Sequence, residues 1–333
     1  MPFADDLSRY GPDAPSRVTR DEALAYCAQL TATHYENFSV VSWMTPKHHR
    51  AAFQSIYSFC RWSDDLGDEV GDPARSRELL AWWRGELRAL FDKGQARHPV
   101  MMALADTVEQ YRIPIEPFEA LISAFEQDQV VTEYETYPQL LDYCTRSANP
   151  VGHLVLHIAG AFDESNARLS DCTCTALQFA NFWQDVARDL AIGRIYLPRE
   201  DRDRFGYSRD DLQNLRFTPR FASLMRFEVD RTRRLFDDGR PLVARIPGEL
   251  AVDVDLFSRG GLAILDRIER RGYDVLTSRP ALAKRTKLAL LLRAVSAMAW
   301  SRLKTSTLGK PGTPSTVPGG LASKAKSGVQ PPC

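Results

Sequence analysis

From about residue 20 to residue 303, apolar positions recur at i, i+3 and i+4 and predict one helix after another. DEALAYCAQLTATHY, HRAAFQSIYSFCRWSDDL, SRELLAWWRGELRALF and PFEALISAFEQDQ each gather their apolar side chains on one face of a 3.6-residue repeat. No run alternates with period two for long enough to build a sheet. The helices are expected to break at Pro46, at the GDP of 71–73, at the HP of 98–99, at the IPIEP of 113–117, at Pro138, at Asn149-Pro150 and at Pro198. Loops this short imply an all-α, single-domain fold. Residues 1–19 are expected to be a flexible N-terminal segment. Residues 304–333, rich in Gly, Pro, Ser and Lys, offer little to bury and are expected to be disordered.

Two polar stripes interrupt this pattern. In NFWQDVARDLAIGRIYLP (181–198), Asn181, Asp185 and Asp189 stand four apart and so share one helix face. In IYSFCRWSDDLGDEVGD (56–72), Asp64 and Asp68 are four apart, Asp65 adjoins them, and Tyr57 and Arg61 extend the same region toward the N-terminus. Like charges at this spacing repel, and they call for either a solvated surface or a compensating cation. For one stripe alone the solvated face is the better reading. Two of them in one helical domain, each embedded in aromatic sequence, favour a shared site. Hard divalent cations such as Mg²⁺ take oxygen ligands, typically a few carboxylates completed by water and substrate phosphate. Facing DxxxD and NxxxDxxxD helices therefore suit a diphosphate held through magnesium.

Composition limits the partners. Apolar residues make up 44% and charged residues 26%, with 43 basic against 43 acidic side chains, so there is no basic excess to suggest nucleic acid. MPFADDLSRYGPDAPSR lacks the apolar core of a signal peptide, and no stretch approaches the length of a membrane-spanning helix, which implies a cytoplasmic location. Peripheral contact with the inner face of the membrane, or with neighbouring pathway enzymes, stays open. The CTC at 172–174 lacks the CxxC spacing of a zinc or redox motif. His153 and His157 lie four apart without the Glu of HExxH and are read as structural.

The pairing of RWSDDLGDE with NFWQDVARDLAIGRIYLP, with HYENFSVVSWMTP upstream and YCTRSANPVGHL between them, resembles the squalene and phytoene synthase family of head-to-head prenyl synthases over about residues 20–300. Within that family, ENFSV, FCRWSDDL, SANPVG and NFWQDVARD are most similar to members of bacterial hopanoid pathways that turn presqualene diphosphate and water into hydroxysqualene and diphosphate. The resemblance implies an all-α prenyl synthase fold around a central cavity, and Mg²⁺ as cofactor. It implies that Asp64, Asp68, Asn181, Asp185 and Asp189 are metal ligands. Arg61, Arg194 and Tyr196 would hold the diphosphate, while His34, Phe38, Asp128, Gln129 and Gln178 would line the cavity or the diphosphate side. Tyr57, Tyr143 and Asn149 would serve the reaction, the tyrosines facing a carbocation and Asn149 placing a water.

The chain also departs from the family pattern. Tyr35, Glu36 and Asn37 replace a serine-rich stretch, Gln184 stands where relatives have the Arg of NxxRD, Gly261 falls near a C-terminal tyrosine of many members, and SANPVG replaces a VAGTVG-like segment. These changes agree with handling one substrate that already carries both prenyl chains. No GxGxxG follows a strand, so the sequence offers no dinucleotide site of that kind. Two other readings follow from the same resemblance. One is a condensing synthase making presqualene diphosphate, squalene or phytoene. The other is a non-catalytic helical assembly protein, which is expected to lose the metal-ligand positions that are complete here.

Overall fold

The computed structural model describes residues 3–14, 18–33 and 47–281. His34, Phe38, the residues beyond 281 and the expected tail at 304–333 lie outside them. The helices run α1 (Phe3–Tyr10), α2 (Arg20–Thr33), α3 (Arg50–Asp68), α4 (Pro73–Lys93), α5 (Pro99–Tyr111), α6 (Glu116–Asp128) and α7 (Tyr137–Ser147). They continue with α8 (Asn149–Ile158), α9 (Glu164–Ala191), α10 (Arg199–Arg204), α11 (Arg209–Gln213), α12 (Pro219–Gly239), a 3₁₀ turn at Arg240–Ala244 and α13 (Gly248–Arg270).

Helix starts follow local chemistry. Asp72 accepts from the Ala74 amide ahead of Pro73, and His98 accepts from the Val100 amide ahead of Pro99. Thr136 and Gln139 close a reciprocal capping box on α7, and Asp163 caps α9 through the Asn166 amide. Each cap satisfies amides that a helix start leaves without partners, and proline at N1 gives up no needed donor. One segment differs from expectation: α1 forms inside the stretch 1–19. Phe3 and Tyr10 anchor it, Phe3 meeting the Trp62 ring edge-on at 5.2 Å and Tyr10 meeting Tyr26 at 5.0 Å. An eight-residue helix is marginal alone, so packing holds it.

Two large apolar cores divide the work, beside a small third around Leu156, Leu242, Ile246 and Ala251. One gathers Phe59, Trp62, Leu66, Leu80, Trp83, Leu104 and Phe118 from α3–α6, and the other gathers Tyr143, Phe179, Trp183, Tyr207, Phe221 and Leu224 from α7–α12. Burying each such side chain stabilises the fold by roughly 1.5–3 kcal/mol. The faces of α3 and α9 that carry Phe59, Trp62, Phe179 and Trp183 thus enter separate cores, which leaves their acidic stripes free to face a space between. Helix α3 packs on α6, α6 on α7, and α7 on α9. Helix α8 lies close against α9: a Cβ on Gly152 would stand 2.2 Å from Ser170 Oγ and 2.6 Å from Cys174 Sγ, so only glycine permits this approach. Gly261 is similar. A Cβ there would meet Phe236 Cζ at 2.4 Å, leaving no room for the tyrosine of many relatives.

The loop leaving α9 is fixed by main-chain bonds to the segment after α6. The amides of Ile195, Arg199 and Glu200 donate to the carbonyls of Thr132, Tyr134 and Glu135 at 2.7, 2.9 and 3.0 Å, with a parallel bridge between Glu133 and Ile195. A buried ionic knot supports the same region. Arg231 Nη2 donates to Glu228 at 2.5 Å and to Asp201 at 2.8 Å, and its guanidinium lies 3.5 Å from the centre of the Tyr137 ring. Glu228 is fully buried. Removing one member strands charges that water cannot reach. Arg231→Met is therefore expected to lower stability by about 3–5 kcal/mol in urea unfolding. A loss under about 1 kcal/mol would mean the knot does not hold the region together. Among the described residues, no helix is long and apolar enough to cross a membrane.

Candidate active site

Arg194, in the loop after α9, joins the two acidic helices. Its Nη2 and Nη1 donate to the two carboxylate oxygens of Asp68 on α3 at 2.7 and 3.3 Å. The same guanidinium favours the ionised forms of Asp64 on α3, Asp128 on α6 and Asp189 on α9. Both stripes therefore lie within the field of one positive charge. The structure brings Asp64, Asp68, Asp128, Asp189 and Arg194 into a single electrostatic unit.

Within α3, Arg61 folds back along its own helix, its Nε donating to Asp65 at 3.0 Å and its Nη1 to Asp64 at 3.4 Å. Asp65 is 4% exposed, and Tyr57 is half-buried one turn earlier. Gln129 Nε2 donates to the carbonyls of Gly67 and Phe125, both at 3.2 Å, so this amide ties α6 to the end of the α3 stripe. On α9, Asn181 is exposed, while Gln178, Asp185 and Asp189 are half-buried. Asn149 sits apart from this cluster: it is buried at the start of α8, with its Oδ1 accepting from Thr175 Oγ1 of α9 at 3.0 Å.

An aromatic wall adjoins the charged group. The Tyr143 hydroxyl donates to Asp128 at 2.9 Å. Burial first, then the charge of Asp128, holds the Tyr143 phenol well above its usual pKa, so it remains a donor. Tyr196 stacks on Phe182 at 3.8 Å and on Tyr143 at 6.1 Å, and Tyr134 completes the group 5.5 Å from Tyr143. A crevice of about 10 Å³, room for about one water, lies among Phe182, Val186, Asp189, Arg194 and Tyr196. That falls below the roughly 300–1,000 Å³ of drug-sized ligand sites.

Sequence reasoning missed Arg279, in the segment after α13. Its Nε and Nη2 grip the two oxygens of Asp185 at 2.5 and 2.8 Å, and Nη2 also donates to Gln184 Oε1 at 3.2 Å. Gln184 in turn donates to the Pro280 carbonyl. The available signal was the departure at Gln184: an Arg expected beside Asp185 is replaced by a guanidinium from a distant segment. Tyr134 and Thr175 were missed as well, since nothing in their local sequence marks their partners.

The donor set fits a hard divalent ion. Asp64, Asp68, Asn181, Asp185 and Asp189 can each offer an oxygen ligand, as Mg²⁺ prefers. Among the described residues, no group of three acidic, His or Cys side chains is already gathered closely enough to hold an ion alone. Such an ion would share these carboxylates with water and substrate oxygens. The surplus negative charge is visible in the proton affinities. Desolvation by the surrounding walls, then neighbouring Asp68, raises Asp64 from 3.8 to about 6. Burial also lifts Asp128 to about 6, and burial with nearby Asp185 lifts Asp189 to about 7.

A carboxyl whose folded pKa is raised stabilises the fold fully below its unfolded value, and that contribution is lost as pH rises through the folded pKa. For these acids the window is about pH 4 to 7, so in metal-free protein their contribution shrinks as pH rises through it. Protons and divalent cations compete for the same oxygens. Mn²⁺ binding to substrate-free protein is accordingly expected to weaken by about tenfold or more between pH 8 and pH 5.5, read by calorimetry. An affinity flat over that range would detach the three acids from the ion.

A family model described as squalene/phytoene synthase matches residues 31–286. The 15-cis-phytoene synthase of Synechocystis sp. is 31% identical over 298 residues, covering 86% of this chain and 88% of that protein. The crystal structure of squalene synthase HpnC from Alicyclobacillus acidocaldarius is 47% identical with a TM-score of 0.74, covering 78% of this chain and 97% of that one. A dehydrosqualene synthase in complex with ligand shares the fold at 21% identity and the same TM-score of 0.74, over 86% of this chain and 98% of its own.

Proposed function

The chain belongs to the squalene/phytoene synthase family and has the all-α isoprenoid synthase fold; from that premise, we propose that it converts presqualene diphosphate and water to hydroxysqualene and diphosphate, with Mg²⁺. The observation that carries this reading is the convergence of both acidic helices on Arg194, beside an aromatic wall.

The difficult step is heterolysis of a carbon–oxygen bond, which leaves a carbocation and a diphosphate in surroundings where unpaired charge is costly. Asp64, Asp68, Asn181, Asp185 and Asp189 would hold magnesium, which when bound supplies Lewis-acid stabilisation of the departing diphosphate. Arg194 adds a fixed positive charge where negative charge grows, and Arg61 and Arg279 offer two more guanidiniums at the ends of the stripes. On the hydrocarbon side, Phe182, Tyr196 and Tyr143 would stabilise a cation by about 0.5–2 kcal/mol each, and the family resemblance adds Tyr57 to them. Tyr143, protonated and held by Asp128, keeps its ring in position without offering an oxyanion that would trap the cation.

As the bond breaks, its electron pair leaves with diphosphate. The rearranged, ring-opened cation then gains a bond to a water oxygen, and the released proton passes to diphosphate or solvent. The buried Asn149–Thr175 pair is the polar group assigned to that water. Asn149→Ala is expected to raise the share of products that lack the hydroxyl by about tenfold. An unchanged product ratio and rate would remove Asn149 from the mechanism.

A second reading is head-to-head condensation of two prenyl diphosphates, supported by the phytoene synthases among the relatives. The 47% identity to the squalene synthase HpnC structure favours thirty-carbon chemistry over phytoene. The deciding test is to incubate purified protein with farnesyl diphosphate or presqualene diphosphate, with and without Mg²⁺ and NADPH, and to identify the lipid. Alcohol from presqualene diphosphate without NADPH supports the leading reading. Turnover of farnesyl diphosphate, or squalene formed only with NADPH, moves the assignment to condensation.

A further inference from the structure

Gln184 belongs to no part of the acidic stripe. It is 5% exposed, one residue before Asp185 on α9, and a buried neutral amide must find partners for both its oxygen and its nitrogen. It finds both on one distant segment. Its Oε1 accepts from Arg279 Nη2 at 3.2 Å, and its Nε2 donates to the Pro280 carbonyl, 95 and 96 positions along the chain. One side chain thus holds a guanidinium and the peptide that follows it. Relatives with Arg at this position carry the guanidinium on the helix itself and need no such clasp.

The segment reaches α9 already shaped as far as Ser278. Asp274 accepts from the amides of Leu276 and Thr277 at 3.1 and 3.0 Å, Arg271 donates to the Asp274 carbonyl and to Ser278 Oγ at 2.9 and 2.6 Å, and Val275 and Leu276 are buried in the core that holds Tyr143 and Phe179. Arg279 stands beyond that turn, its side chain 43% exposed, and donates to Gln184 and Asp185. Arg194 is aimed by a loop fastened through main-chain bonds, whereas the tie at Arg279 is a side-chain amide.

The guanidinium acts with opposite sign on two ligands. Its Nε and Nη2 hold both oxygens of Asp185, so its positive charge opposes a divalent cation seeking the same acid. A diphosphate arriving beside that acid meets a fork of donors instead. Arg188 also approaches Asp185, at 3.7 Å, but from a side chain 69% exposed, where water screens its charge. From this arrangement we infer that Gln184 is a positioning residue: by seating Arg279 on Asp185 it weakens metal binding to the substrate-free site and strengthens capture of diphosphate, so that ion and substrate load together. The inference rests on the reading of the two stripes as a metal and diphosphate site.

The test uses the full chain and two probes read by calorimetry at pH 7.5: Mn²⁺ with substrate-free protein, and inorganic diphosphate in excess Mg²⁺. Arg279→Met is expected to tighten Mn²⁺ by about threefold or more and to weaken diphosphate by about tenfold. Gln184→Met, which keeps the length of the side chain but neither bond, should shift both affinities in the same directions. Because Gln184 acts through Arg279, the double variant should match Arg279→Met within about twofold. Gln184→Asn, one methylene shorter, should show the same pair of shifts in smaller measure, and it serves if Gln184→Met does not fold. Additive shifts in the double variant, no shift at all, or both affinities falling together would each overturn the inference, the last being what a merely structural residue gives. Asp185→Asn separates the failures. If it leaves Mn²⁺ affinity unchanged, the metal reading falls; if it lowers that affinity while Gln184→Met moves nothing, only the role of Gln184 falls.

Discussion

Asp64→Asn and Asp185→Asn are each expected to lower turnover by about a thousandfold or more while the fold persists. Asparagine keeps the shape of aspartate and part of its hydrogen bonding, yet it removes the negative oxygen that a hard cation requires. A divalent ion contributes several kcal/mol of charge stabilisation in such reactions, and about 4 kcal/mol corresponds to three powers of ten in rate. Neither side chain is part of a core. Asp64 is 45% exposed, and Asp185 can still accept from Arg279 through its remaining carbonyl. Turnover of the lipid diphosphate and Mn²⁺ affinity should fall together in each variant. If both variants retained full turnover and full Mn²⁺ affinity, the stripes would be ordinary solvated faces and the protein a helical scaffold.

Arg194→Gln should produce the second largest loss, about a hundredfold in turnover, in the range seen when one charge-stabilising donor is removed from a site. Its signature lies in the pH dependence. With the guanidinium gone, Asp64, Asp128 and Asp189 lose a shared stabiliser of their ionised forms, so the acid limb of the rate profile moves to higher pH. Arg194→Lys, which keeps the charge but not the two-pronged grip on Asp68, should restore part of the rate and most of the acid limb. A residue that merely packed the loop would lower stability without moving that limb. An unmoved acid limb in Arg194→Gln therefore removes Arg194 from the electrostatic unit.

Helical features were legible in the sequence because their physics is local. Four-residue spacing placed Asp64 with Asp68, and Asp185 with Asp189, and the prolines at 73, 99, 138 and 150 marked the helix starts that the structure has. The helix α1 went unread because a short amphipathic segment is helical only through what it packs on, and Trp62 is far away in the chain. Arg279 reaches Asp185 across 94 positions, and Tyr134 meets Tyr196 across the whole of α7, α8 and α9, so no local period announces either contact. Asn149 was placed correctly at a helix break, but its Thr175 partner could not be inferred. His34 and Phe38, expected to line the cavity, fall outside the described residues.

The way the loop after α9 is fastened bears on how this site can be altered. Ile195, Arg199 and Glu200 hold the loop through peptide N–H groups, to which Arg199 adds an ion pair with Glu135 and Glu200 a bond from the Tyr137 amide. A mutagenesis library across 195–200 should consequently tolerate side-chain exchange at Arg199, whose ion pair is exposed, better than at Glu200, which accepts from the Tyr137 amide, and reject proline at any of the three amide donors. Peptide groups carry much of the loop's aim, so Arg194 would stay on target through drift at Arg199.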